Sequence, residues 1–116
     1  MPRALTATAA LAAIEAALRH ERQNPYVPPH TDPRSIEVDL RAHLCEPFEV
    51  QATVMSPGFP FADPGAQLVG LCVAHHAGYW LIYQPEEQRF LCFWGESPTN
   101  LGAHGVYGNP LYCWAA

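Results

Sequence analysis

The stretch Gly78-Tyr79-Trp80-Leu81-Ile82-Tyr83-Gln84-Pro85-Glu86-Glu87-Gln88-Arg89-Phe90-Leu91-Cys92-Phe93-Trp94-Gly95 decides the fold. Two apolar, aromatic-rich runs, Tyr79 to Tyr83 and Phe90 to Trp94, flank the polar segment Pro85-Glu86-Glu87-Gln88, which is the pattern of consecutive antiparallel strands joined by a short turn. If Gln84 lies opposite Arg89, strand alternation puts Trp80, Ile82, Leu91 and Phe93 on one face. Tyr79, Leu81, Tyr83, Phe90, Cys92 and Trp94 then share the other. Both faces are apolar, so both need cover. A helical layer can roof one of them, and the second is expected to lie under the proline-rich connector and the C-terminal segment, or to stay partly open to a partner.

Working towards the N-terminus, Leu68 to Ala74 is a third apolar run, linked to the hairpin by His75-His76-Ala77-Gly78. Phe48, Val50, Ala52 and Val54 alternate with Glu49, Gln51 and Thr53, as in a strand with one wet face. Between these runs, Ser56 to Gly65 holds Pro57, Pro60 and Pro64 and reads as a loop whose Phe59 and Phe61 need cover. From Thr6 to Arg22 the pattern is helical, with alanine dominant and Leu11, Ile14 and Leu18 forming an apolar stripe. Glu15 and Arg19 stand one turn apart on its other side, and Arg19, His20 and Arg22 suit the negative end of the helix dipole. Asn24-Pro25 ends this helix, and Pro25, Pro28, Pro29 and Pro33 make the segment from Asn24 to Arg34 an extended connector. Ser35 then caps a short second helix with Ile36, Leu40 and Leu44 at four-residue steps, although Ile36, Val38 and Leu40 also alternate as a strand. Glu46-Pro47 breaks that helix before the next strand. Beyond the hairpin, Ser97 to Asn109 reads as a glycine-rich turn region, and Leu111 to Trp114 as a closing strand. The expected class is α+β over a single domain, residues 1–116, with an N-terminal helix and a short second helix packed on a mainly antiparallel sheet of four to five strands.

Composition narrows the function. The 49% hydrophobic and 15% charged content supplies ample core material with few charges to cover the exterior, which favours a surface completed by a partner. The chain has no lysine, and its net charge of −5 argues against a surface that tracks nucleic-acid phosphates. No stretch approaches the roughly 20 apolar residues of a membrane helix. Met1-Pro2-Arg3 and the alanine-rich run after it imitate an export leader loosely, but the amphipathic pattern continues through Glu15, Leu18 and Arg19. A cytoplasmic protein without cofactors is therefore expected. Its four cysteines, Cys45, Cys72, Cys92 and Cys113, are widely spaced and read as reduced core thiols rather than a disulfide framework.

The residues that suggest chemistry are few. Cys72 with His75 and His76 has the atoms for zinc or for a thiolate–imidazole pair, yet in a strand Cys72 and His75 point to opposite faces. No second ligand pair completes a metal site, so neither a metal nor a catalytic residue is assigned there. None of Ser35, Ser56 and Ser97 sits in a nucleophile elbow, and Glu86-Glu87 occupies a turn where carboxylates face water. Gly102, Gly105 and Gly108 lack the lysine and the following helix of a phosphate cradle. What remains is a recognition surface. Tyr79, Trp80, Tyr83, Trp94, Tyr107, Tyr112 and Trp114 are concentrated in the last third and offer large amphipathic contact area, the first five being the expected contacts, and Glu86, Glu87 and Glu96 would form an acidic rim. This favours binding over catalysis. The alternatives are a small metal or thiol enzyme centred on Cys72, His75 and His76, and a structural subunit of a larger assembly, which includes a homodimer.

An N-terminal helix followed by the meander Gly78 to Tyr83 and Arg89 to Gly95 resembles the SUKH (SMI1/KNR4-like) group of small bacterial toxin-immunity proteins. The resemblance implies an intracellular, non-catalytic inhibitor that neutralises a toxin by blocking its active site or substrate entry, with the acidic loop and aromatic face as contacts.

Overall fold

His76 and Tyr79 face each other across a two-residue turn in which Ala77 (φ 49°) and Gly78 (φ 88°) both take left-handed backbone, the turn whose twist matches that of the flanking strands. The computed structural model describes residues 3–23 and 33–115. In chain order these form α1 (Arg3–Gln23), α2 (Pro33–Ala42), β1 (Leu44–Val54), β2 (Gln67–His76), β3 (Tyr79–Gln84), β4 (Arg89–Trp94), β5 (Leu101–Gly108) and α3 (Pro110–Ala115). The expected α+β class and the second helix both hold, but α2 starts at Pro33, so Ser35 lies within it rather than capping it, and Leu44 belongs to β1. The helix end at Asn24-Pro25 and most of the proline-rich connector lie outside the described residues.

Gln84 does pair with Arg89, and the two faces of the hairpin are divided as the alternation requires. Their cover differs from expectation. Strands β1 to β5 run antiparallel in succession, so the first and last point the same way, and the sheet closes through a parallel pairing of Ala52, Thr53 and Val54 with Leu101, Gly102 and Ala103. Trp80, Ile82, Leu91 and Phe93 thereby fall inside a closed barrel with Val50, Val54 and Phe59. Leu81, Tyr83, Phe90 and Cys92 lie outside it, beneath Ala10, Ile14 and Leu18 of α1, Leu40 of α2, and Leu111 and Cys113 of α3. A sheet that coils upon itself roofs its own concave face, so among the described residues neither face of the hairpin is left broadly open. The helix stripe also shifts: Ala10, Ile14 and Leu18 are buried, while Leu11 is 37% exposed.

Two C-terminal expectations need correction. The glycine-rich region is not a string of turns but strand β5. Its Leu101 and Ala103 point into the barrel, and Gly105 lies where a Cβ would come within 2.9 Å of the Gly58 carbonyl oxygen, allowing the loop after β1 to close over it. Leu111 to Trp114 is helix α3 rather than a strand. Asn109 caps it, its Oδ1 accepting from the Tyr112 amide at 2.7 Å, and Pro110 occupies the first helical position, where a missing N–H is tolerated. β1 also begins earlier than Phe48, with Pro47 accommodated in a bulge.

Arg41 ties the helices together. Its guanidinium donates to Glu15 of α1 at 2.6 and 3.1 Å and to Glu37 of α2 at 2.9 Å. These carboxylates, Glu15 foremost, hold Arg41 further into its charged range. Both Arg41 and Glu15 meet solvent, so Arg41→Ala is expected to cost only about 0.5–1 kcal/mol. Urea midpoints measured at low and high salt check this, because screening should shrink the difference.

Candidate functional site

The structure divides the predicted contact residues into three groups. Trp80 and Tyr83 are each 8% exposed, Trp80 within the barrel and Tyr83 under the helices. Neither is a surface anchor, because closure and helix packing consume the faces on which they lie. Trp80 also donates from Nε1 to the Gly95 carbonyl at 2.9 Å, which satisfies its polar edge internally.

Glu86, Glu87 and Tyr107 form a second group at one mouth of the barrel. Both glutamates are exposed on the β3–β4 turn. Tyr107 meets Phe61 edge-on at 5.4 Å, Phe61 stacks on Phe59 at 4.9 Å, and the Arg89 guanidinium lies 3.5 Å from the centre of the Phe61 ring. Arg89 is held in turn by Gln84 Oε1 at 2.7 Å. These aromatics plug the mouth, since Phe59 is buried with the barrel core.

Tyr79, Trp94 and Glu96 make the third group, with Tyr79 and Trp94 on the outer face of the barrel, where Trp94 packs against the margin of the cluster that the helices roof. Strand register gives its layout. Tyr79 pairs with Trp94, Trp94 with Gly102, Gly102 with Thr53, and Thr53 with Gln67. Their sequence neighbours Trp80, Phe93, Leu101, Ala52 and Leu68 belong to the barrel core, so all five point outward and form one belt across every strand. At its aromatic end Tyr79 (38% exposed) meets half-buried Trp94 edge-on at 6.0 Å, and Trp94 meets His104 at 5.3 Å. Exposed Met55 lies beside Gly102, where a Cβ would come within 3.3 Å of Met55 Cγ and 3.2 Å of His104 Nε2. The belt is therefore shallow at Gly102 and raised on either side.

Its polar end opens into a cleft of about 520 Å³ lined by Glu49, Gln51, Thr53, Gln67, Thr99 and Asn100, among others. Gln51 Nε2 donates to Gln67 Oε1 at 2.9 Å, and Gln67 Nε2 donates to Thr53 Oγ1 at 2.9 Å, so three side chains are held in a fixed order. The cleft can exchange hydrogen bonds with amides, hydroxyls or cationic donors, and Glu49 supplies its carboxylate. No local sequence pattern marks Gln51, Thr53, Gln67 and His104 as neighbours of Trp94, because they meet it only through the pairing of β5 with β1 and β4.

Cys72, His75 and His76 are not brought together as a reactive centre. Cys72 is buried in the barrel, its thiol directed at the Ala74 carbonyl at 3.4 Å. His75 stacks on Trp80 at 4.7 Å, whereas His76 packs on His43 of the α2–β1 junction at 4.0 Å. Among the described residues, no three His, Cys, Asp or Glu side chains converge as metal ligands would. Burial pushes the Cys92 thiol up to about 12 and raises Cys113 as well. Among the described residues no helix is long and apolar enough to cross a membrane. Compared with protein-family models, curated proteins and solved structures, the chain finds no match.

Proposed function

We propose that this chain is a non-catalytic protein-binding domain whose partner docks on the belt from Tyr79 and Trp94 to the cleft at Gln51 and Gln67. The observation that carries this reading is the join at Gly102, where a partly exposed aromatic corner runs into a fixed polar cleft. An aromatic anchor beside hydrogen-bonding groups is the composition of a protein interface, and Glu49 and Glu96 with the net charge of −5 suit a basic partner. The resemblance to bacterial immunity proteins makes the partner a toxin, which the domain neutralises by covering its active site, and makes the compartment cytoplasmic.

Affinity capture from the native cells with wild-type, Tyr79→Ala and Trp94→Ala proteins side by side tests this. One stoichiometric partner should be retained by the wild type and bind each variant about 2 kcal/mol or more weakly, with both variants still folded by circular dichroism. Adding wild-type chain should suppress the partner's toxic activity. A partner bound equally by all three proteins contradicts the placement, and a partner whose activity is unaffected contradicts inhibition.

A further inference from the structure

The four thiols are not equivalent. Cys72, Cys92 and Cys113 are buried, whereas Cys45 is half-buried and reaches solvent. Cys45 lies in the bulge of β1, where Cys45, Glu46 and Pro47 occupy the span that Val73 alone fills on β2, between the pairs Leu44–Ala74 and Phe48–Cys72. The bulge turns Cys45 towards Cys72. Its Sγ lies 3.7 Å from the Cys72 carbonyl oxygen, and Cys45 packs against the same barrel-core cluster that holds the Cys72 side chain. When neutral, Cys45 donates to that carbonyl and Cys72 to the Ala74 carbonyl. When Cys45 ionises, the Cys72 thiol is placed to donate to its sulfur, which draws Cys45 below the usual thiol range and pushes Cys72 above it.

We propose that Cys45 and Cys72 form a peroxide-sensitive dithiol in which Cys45 is the oxidised residue and Cys72 the resolving one. In the first step the Cys45 thiolate attacks one oxygen of hydrogen peroxide. The S–O bond forms, the O–O bond breaks, and the departing hydroxide takes a proton to leave as water, giving a sulfenic acid. In the second step the Cys72 sulfur attacks the Cys45 sulfur, the S–O bond breaks, and the hydroxide leaves as water with the proton of Cys72. The sum is two thiols and one peroxide giving one disulfide and two waters. The Cys45 sulfur already lies against Cys72 on the neighbouring strand, and closure brings the two sulfurs to about 2.05 Å. The product staples the β1 bulge to β2. Cys92 and Cys113, roofed by the helices, provide internal controls.

The test treats the intact chain with hydrogen peroxide, alkylates the remaining thiols and maps the peptides by mass spectrometry. The expected product is about 2 Da lighter and carries a Cys45–Cys72 crosslink, with Cys92 and Cys113 alkylated. Cys45 should be consumed about tenfold faster than either control. Cys72→Ala should stop at a Cys45 sulfenic acid that dimedone traps, and Cys45→Ser should leave Cys72 reduced. The wild-type map decides the matter even if a variant fails to fold. First oxidation at Cys92 or Cys113, or loss of Cys45 without the crosslink, overturns the proposal.

Discussion

Trp80→Ala is expected to destabilise the protein by about 3–5 kcal/mol, against the 5–15 kcal/mol that typically holds such a domain folded. Trp80 packs inside the barrel with Phe48 edge-on at 6.5 Å and His75 stacked at 4.7 Å, so truncation empties the end of the core at the β2–β3 turn. It also removes the donor to the Gly95 carbonyl. The urea midpoint should fall steeply for Trp80→Ala and only modestly for Trp94→Ala, because Trp94 lies on the outer surface and is partly exposed. Equal losses in the two variants would contradict the division of the hairpin faces.

The second large effect concerns the bore of the barrel. Five strands enclose little space, and its inward positions alternate bulky side chains with small ones such as Ala52, Gly70, Cys72 and Ala103. At Gly70 a Cβ would stand 2.4 Å from Ile82 Cγ2, a branched atom with no freedom to swing away. Gly70→Ala should therefore cost about 1–3 kcal/mol by overpacking, and Ile82→Ala about 2–5 kcal/mol by leaving a cavity. Combined, they should cost less than their sum by about 0.5–3 kcal/mol, since the new methyl occupies part of the space that Ile82 vacates. Denaturant titration of the four proteins measures that coupling. Strict additivity would mean that β2 and β3 do not meet across a filled interior.

Both results depend on closure, and closure is where sequence reading stopped. The hairpin was legible because a period of two over Tyr79 to Tyr83 and Phe90 to Trp94, with a short polar turn between them, leaves one natural pairing. No local pattern announces that Val54 will lie beside Ala103, since that contact joins segments far apart in the chain and depends on how strongly the sheet coils. Gly102, Gly105 and Gly108 look like turns because glycine is common there, yet in β5 they serve a bent strand crowded by its neighbours. Leu111 to Trp114 is too short an apolar run to distinguish strand from helix, and the decisive signal was the Asn109-Pro110 start preceding it.

The site was legible to the same extent. Tyr79, Trp94 and Glu96 could be selected as contact types from sequence, and Tyr79 and Trp94 keep part of their surface exposed on the outer face. Trp80 and Tyr83 have the same chemistry but opposite fates, because exposure depends on tertiary cover rather than on residue type. The cleft at Gln51 and Gln67 had no signature at all. Its hydrogen-bond order exists only once Gln67 lies beside Thr53 and Val69 beside Gln51.

Hydroxyl-radical footprinting of the chain alone and with its captured partner is the most direct test of the docking claim, because Met55, Tyr79 and Trp94 are readily oxidised side chains lying at the belt. Partner binding should protect these three while leaving Phe61 and Tyr107, at the plugged mouth, as reactive as before. Protection of Phe61 and Tyr107 with Met55, Tyr79 and Trp94 unchanged would show that the partner docks elsewhere.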